Sequence, residues 1–358
     1  MEIVKGSIAI MGSGETSPAL VSVHRNFVEM LDDQVNAYLI DTPFGFQENA
    51  DVLVDKLKLF FKKSVQIEIN SASLRNISNI DSVEYFEMLE ELRNSNFIFS
   101  GPGSPSYASK TWLKSEIPNV IMNHLKNGKH AIFSSAAAST LGEKTIPVYE
   151  IYKVGMNLFW EEGLNILELY GLSCTVVPHF NNKEGGNHDT SCSYIGKNRL
   201  KNLIEEEYTN ILGIDEHTAL IINGKKEVFK VEGIGHVTIL TKAGQTIFKG
   251  GEEYPLSELQ SILHKTYNKE LTPVKNPLKD PGINILKKEI AKLNLELKKN
   301  NDFATLFDST ILEIINLRNK FRNEEKYSES DDIRDLLDKL DITIEDNKIS
   351  SSWKFKDQ

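Results

Sequence analysis

The sequence predicts an α/β fold built on a mostly parallel sheet, with a small helical domain behind it. Short apolar runs alternate with amphipathic stretches over the first two-thirds of the chain, the pattern of strands covered on both faces by helices. Small-residue turns follow several of those runs: Gly12-Ser13-Gly14-Glu15, Gly101-Pro102-Gly103-Ser104-Pro105 and Ser134-Ser135-Ala136-Ala137-Ala138. After a proline-rich stretch the apolar spacing becomes purely helical.

Taken in order, Ser7 to Met11 reads as a buried strand, followed by a helix from about Pro18 to Leu31. Gln34 to Ile40 is a second strand and Asn49 to Lys62 a second helix. Val65 to Ile69, Phe97 to Ser100 and His130 to Phe133 continue the sheet, with helices at Ser82 to Asn94 and around Ile117 to Asn127. Cys174 to Val177 adds a strand, and Thr218 to Ile222, Glu227 to Val231 and Val237 to Leu240 read as one closing antiparallel section. In parallel sheets ligands sit beyond the carboxyl ends of the strands, where all three small-residue turns fall.

The first domain is expected over 1–268 and a linker over 269–284, because Leu271 to Pro281 holds Pro273 and Pro277 among polar residues. The second domain, 285–358, carries Leu286, Ile290, Leu293 and Leu297, then Phe303, Phe307, Ile311 and Ile314, then Ile333, Leu336, Leu337 and Leu340 at helical spacing. A short strand at Ile342 to Ile344 and Trp353 close it.

A net charge of −10 over 358 residues argues against generic nucleic-acid affinity, which needs clustered Lys and Arg. No apolar stretch approaches the ~20 residues needed to span a bilayer. Cys174 and Cys192 are too few for a disulfide framework. The expectation is a reduced, cytoplasmic protein without cofactor or membrane partner.

Ser135 stands where a strand turns sharply into a helix, which would expose a nucleophile at the sheet edge and let the next amide help hold an oxyanion. Such a turn favours small residues two positions either side. Ala137 satisfies one, whereas Phe133 fills the other. The same residues read equally as a packed helix N-terminus capped by Ser134 or Ser135.

Gly101-Pro102-Gly103-Ser104 followed by Phe133-Ser134-Ser135-Ala136-Ala137-Ala138 resembles the cyanophycinase and dipeptidase E family of serine peptidases (peptidase S51), of class I glutamine amidotransferase-like fold. His179-Phe180 and Gly213-Ile214-Asp215-Glu216-His217-Thr218-Ala219 extend the resemblance in register over about residues 3 to 245. It implies a three-layer domain with Ser135 as nucleophile, His179 as general base and Glu150 at the acid's place in the dipeptidase branch. The Gly103 and Ala136 amides would hold the oxyanion beside Ser104. Glu216-His217, directly before an apolar strand, reads as a structural tether. The arginine-rich stretch of cyanophycinase-type enzymes is absent after His179, so cyanophycin is not the expected substrate.

In its place stands Asn181-Asn182-Lys183-Glu184-Gly185-Gly186-Asn187-His188-Asp189. Asn181 and Asn182 could orient a peptide or amide, and His188-Asp189 could be an alternative His-carboxylate pair. Turn chemistry explains the same residues. His179, His188, Asp189, Asp215 and His217 could meet as a zinc site, but without compact ligand spacing no metal is expected.

Residues 310 to 356, with Leu317-Arg318, Phe321-Arg322 and Ser330-Asp331-Asp332-Ile333-Arg334-Asp335, resemble the C-terminal end of cysteinyl-tRNA synthetases. That resemblance implies tRNA contact, which the mixed charge would make weak. A stabilising or oligomerising bundle is the competing reading, and a homodimer stays open. The expected function is a serine-type hydrolase acting on a small peptide or amide. The alternative is a degenerate hydrolase-like adaptor associated with tRNA. Glutamine amidotransfer would need a cysteine at the elbow, which is not there.

Overall fold

The computed structural model describes residues 4–32, 34–80, 82–264, 281–299, 303–339, 342–346 and 351–355. The proposed linker prolines Pro273 and Pro277, and Leu340, lie outside them, as do the side chains of Leu286, Leu297, Phe303 and Phe307. The described residues form two compact units, 1–77 with 92–276, and 78–91 with 277–358. The second unit thus includes a segment, 78–91, that the sequence reading left in the first domain.

In the first unit the chain runs through β1 (Ser7–Met11), α1 (Val21–Glu29), β2 (Ala37–Ile40), α2 (Ala50–Phe60) and β3 (Ile69–Ala72). After α3 (Val83–Asn94), most of which belongs to the second unit, come β4 (Phe97–Ser100), α4 (Pro105–Leu113), α5 (Ile117–Lys126), β5 (His130–Ser134) and α6 (Ala136–Ser139). A small ribbon, β6 (Lys144–Thr145) with β7 (Glu161–Glu162), brackets α7 (Val148–Tyr152). The remainder is β8 (Thr175–Val177), α8 (Lys197–Glu206), β9 (Ile211–Ile214), β10 (Thr218–Asn223), β11 (Val228–Gly233), β12 (His236–Thr241), β13 (Gly244–Lys249), β14 (Glu253–Pro255) and α9 (Leu256–Ile262).

The large sheet has the order β14-β11-β10-β1-β5-β4-β2-β3. β1, β5, β4, β2 and β3 run parallel, and β10, β11 and β14 add on antiparallel. β1 and β5 lie inside the sheet, which is why both are buried along their length and, apart from His130 at the start of β5, apolar or small. Val23 and Phe27 of α1 and Val54 and Leu57 of α2 pack with Leu39, Phe97, Phe99 and Ile132 of the sheet. A second sheet, β13-β12-β9-β8, carries β8 parallel to β9 and the rest antiparallel.

The α/β class is as the sequence predicts; several details differ. β3 starts at Ile69 because α2 continues through a wide turn, Phe61–Val65, and leaves it only at Gln66, whose φ is 68°. The expected single antiparallel section is divided, with β10 and β11 in the large sheet and β12 in the smaller one. β9 and α4 were not anticipated. α4 forms because Ser104 caps its first turn, accepting from the Tyr107 amide at 3.2 Å, and Pro105 fits its first position.

The second unit contains α10 (Pro281–Lys299), α11 (Phe303–Asn323), α12 (Tyr327–Lys339) and a hairpin of β15 (Ile342–Asp346) and β16 (Ser351–Phe355). Ile311, Ile314, Ile315, Phe321, Ile333, Leu337 and Ile342 form its core. Among the described residues no helix is long and apolar enough to cross a membrane.

Candidate functional site

β5 delivers Ser134 to the carboxyl edge of the large sheet, and Ser135 turns the chain into α6 with φ 50° and ψ −115°. A non-glycine residue is disfavoured at positive φ, and such strain persists only where the surroundings fix it. Here the Ser135 amide donates to Met11 O at 3.0 Å and the Ala137 amide to Gly101 O at 3.2 Å. Phe133 does not obstruct the turn. Its ring is wholly buried, as are Ala137 and Ala138.

His179 follows β8 through Pro178 and also has positive φ, 49°. Its amide donates to Gly12 O at 3.2 Å. Its Nε2 lies 2.8 Å from Ser135 Oγ, and its Nδ1 lies 2.8 Å from Glu216 Oε1. Since an ionised carboxylate only accepts, Nδ1–H donates to Glu216 and Nε2 is left to accept from the serine hydroxyl. That order can move the serine proton onto the imidazole while the carboxylate stabilises the resulting charge.

Glu216 sits on the turn between β9 and β10, beside His217 with φ 53°. Asn182 donates from Nδ2 to the same Glu216 Oε1 at 2.8 Å, and Asn181 Oδ1 accepts from the Glu216 amide at 2.8 Å. The bond from His179 holds the Glu216 carboxyl below its ordinary range; part burial opposes this and the Asn182 bond reinforces it. The first glycine loop exists to approach this turn. A Cβ on Gly12 would lie 2.1 Å from Asp215 O, and one on Gly14, at φ 71°, would lie 2.2 Å from His217 Nδ1.

Gly103 shapes the opposite wall. Its φ is 146°, and a Cβ there would lie 2.0 Å from Pro43 O, the same carbonyl that accepts from the Ser104 amide at 2.7 Å. Beyond these residues opens a cavity of about 480 Å³, lined by Gly103, Ser135, Ala136 and His179 and walled by Tyr149, Tyr152 and Tyr194. Lys153 and Glu184 stand on the same lining.

Ser135, His179, Gly103 and Ala136 are therefore brought together, whereas other expected residues lie elsewhere. Glu150 is not on His179: it accepts from Ser106 Oγ at 2.6 Å. Glu216, expected as a tether, occupies the place assigned to Glu150. Asn181 and Asn182 face Glu216 rather than the cavity, and Asn182 is only 1% exposed. Ser104 caps α4. Asp189 accepts from Ser191 Oγ at 2.6 Å, Ser191 N at 3.0 Å and Lys197 N at 2.9 Å, so it ties its own loop to α8 and makes no pair with His188. His188 stacks on Tyr152, with ring centroids 6.1 Å apart. Among the described residues no group of three or more His, Cys, Asp or Glu could hold a metal ion, so the five residues weighed for zinc do not converge.

Glu15 went unread. Its carboxylate accepts from Ser134 Oγ at 2.9 Å, directly before the elbow. Tyr194 was also missed; no spacing rule places its ring 5.3 Å from that of His179.

The same fold occurs in a known protein. A peptidase from an acI-B1 Actinobacterium superposes with a TM-score of 0.57 at 22% identity, covering 71% of this chain and 98% of that one. A peptidase E-type structure from Listeria monocytogenes EGD-e, at TM-score 0.44 and 16% identity, covers 64% of this chain and 99% of that one. In sequence, the cysteine–tRNA ligase of Fusobacterium nucleatum subsp. nucleatum is 28% identical over 169 residues, which is 44% of this chain. The chain spans about a third (32%) of that ligase's length. No protein-family profile matches the chain.

Proposed function

We propose that the first unit is a serine-type hydrolase acting on a small peptide or amide. The observation that carries this reading is the relay of 2.8 Å from Ser135 Oγ to His179 Nε2 and 2.8 Å from His179 Nδ1 to Glu216 Oε1, built on a strained elbow. The peptidase of like fold supports it.

Ser135 Oγ attacks the carbonyl carbon as its proton passes to His179 Nε2. The Gly103 and Ala136 amides hold the oxyanion. His179 returns the proton to the leaving amine, the C–N bond breaks, and an acyl-serine remains. Water, deprotonated by His179, then cleaves the ester and restores Ser135. Glu216 orients the imidazole throughout. A reduced, cytoplasmic setting suits the two buried free thiols, Cys174 and Cys192.

The test is Ser135→Ala, assayed on p-nitrophenyl acetate and on a panel of dipeptides and amino-acid amides. Turnover should disappear while the thermal midpoint stays near wild type. Turnover retained in that variant overturns the reading.

A second reading rests on the ligase similarity. In it the chain is a tRNA-associated adaptor, with the second unit making the contact. A tRNA mobility shift that persists at physiological salt supports it; loss of the shift as salt rises marks non-specific charge attraction and removes it.

A further inference from the structure

Cys192, Ser193 and Tyr194 have φ of 56°, 57° and 66°, so three successive side-chain-bearing residues occupy the left-handed region. Nowhere else among the described residues do non-glycine residues run consecutively through it. A single such residue is tolerated in a turn; a run of them needs external anchors. The anchors are all around the base. The Cys192 amide donates to Phe180 O at 3.1 Å, the Ser193 amide to His179 O at 3.4 Å and Ser193 Oγ to Pro178 O at 2.7 Å. Cys192 and Ser193 are themselves buried.

What this turn delivers to the cavity is Tyr194. Its ring lies 5.3 Å from the His179 ring and 5.8 Å from that of Tyr152, and its hydroxyl donates to Glu184 Oε2 at 3.3 Å. An imidazole that serves both Ser135 and Glu216 has one useful orientation, and a ring packed against it hinders its swing. The same ring lines the cavity that Ser135 and His179 also line.

We propose that Tyr194 is a specificity-determining residue, held by the left-handed turn so that its ring limits the size of the acyl group seated against Ser135. The reacting carbonyl should therefore carry a short substituent. This inference rests on the hydrolase reading and refines it.

The test compares wild type with Tyr194→Ala, Tyr194→Leu and Tyr194→Phe on p-nitrophenyl acetate and p-nitrophenyl butyrate, with fluorophosphonate labelling of Ser135 followed by mass spectrometry. A methylene against a pocket wall changes selectivity by about tenfold or more, so the butyrate-to-acetate ratio of kcat/KM should rise about that much in Tyr194→Ala. It should rise less in Tyr194→Leu and stay near wild type in Tyr194→Phe, which keeps the ring. A general loss of packing would lower both esters together and leave the ratio alone. If Ser135 is labelled in the wild type and the ratio is unchanged in both Ala and Leu variants, the Tyr194 assignment is overturned and the hydrolase reading stands. If the wild type is neither labelled nor active on either ester, both fall. Should Tyr194→Ala fail to fold, Tyr194→Leu carries the comparison.

Discussion

His179 Nδ1 and Glu216 Oε1 meet at 2.8 Å although 37 positions separate them in the chain. The contact is made by two strand ends of one small sheet. β8 and β9 run parallel, so His179 beyond β8 and Glu216 beyond β9 emerge at the same edge. The carboxylate on His179 is thus fixed by strand pairing, whereas Glu150 on α7 is committed to Ser106.

The two carboxylates should accordingly separate in a mutational test. Glu216→Gln removes the acceptor that orients His179 and should lower kcat/KM for p-nitrophenyl acetate by about 10³-fold or more. Glu150→Gln should stay within about threefold, since it touches neither the base nor the nucleophile. The reverse ranking, measured on folded protein, would move the acid back to Glu150.

On the hydrolase reading, Asn182 is a positioning residue acting through Glu216, to which it donates at 2.8 Å. Asn182→Leu removes a donor from the carboxylate, which makes Glu216 more basic and favours a proton on the neighbouring imidazole. The acid limb of the kcat/KM profile should then move to higher pH. A uniform rate loss with the limb unmoved would assign Asn182 a purely structural role.

Acid should destabilise the first unit before its carboxylates matter. Burial lowers His24 to about 4 and His124 to about 3, from an ordinary value of 6.5. The unfolded chain therefore binds protons that the folded one refuses. Stability is whole above about pH 6.5 and falls at about 1.4 kcal/mol per pH unit for each group until the folded values are reached. Urea midpoints measured from pH 7.5 to 4.5 should show that decline, and His24→Phe should flatten it. A flat profile in the wild type would mean these rings are not buried neutral.

The sheet, the turn at Ser135 and the nearness of His179 to it were legible because each depends on local signals: buried apolar runs, small residues at strand ends, a histidine after a strand. The carboxylate partner of His179 was not, although Glu216 stands inside a segment whose register had been noticed. Its place beside an apolar strand looked structural, and only the pairing of β8 with β9 brings it to His179. Phe133 misled in the other direction. A bulky residue before the elbow looked obstructive, yet its ring is wholly buried while Ser135 takes the strained turn. Asn181 and Asn182 pointed towards substrate on chemistry alone; their partner is Glu216. Tyr194 could not be read, since its position follows from a left-handed turn that no residue preference announces.

Covalent labelling tests most directly whether Ser135 is an activated nucleophile. Wild-type protein should be incubated with a fluorophosphonate, digested, and the modified residue located by mass spectrometry. One phosphonyl group on Ser135, absent in Ser135→Ala and strongly slowed in His179→Ala, is the predicted result. An unmodified Ser135 in the folded wild type, or equal labelling of Ser134, would contradict it.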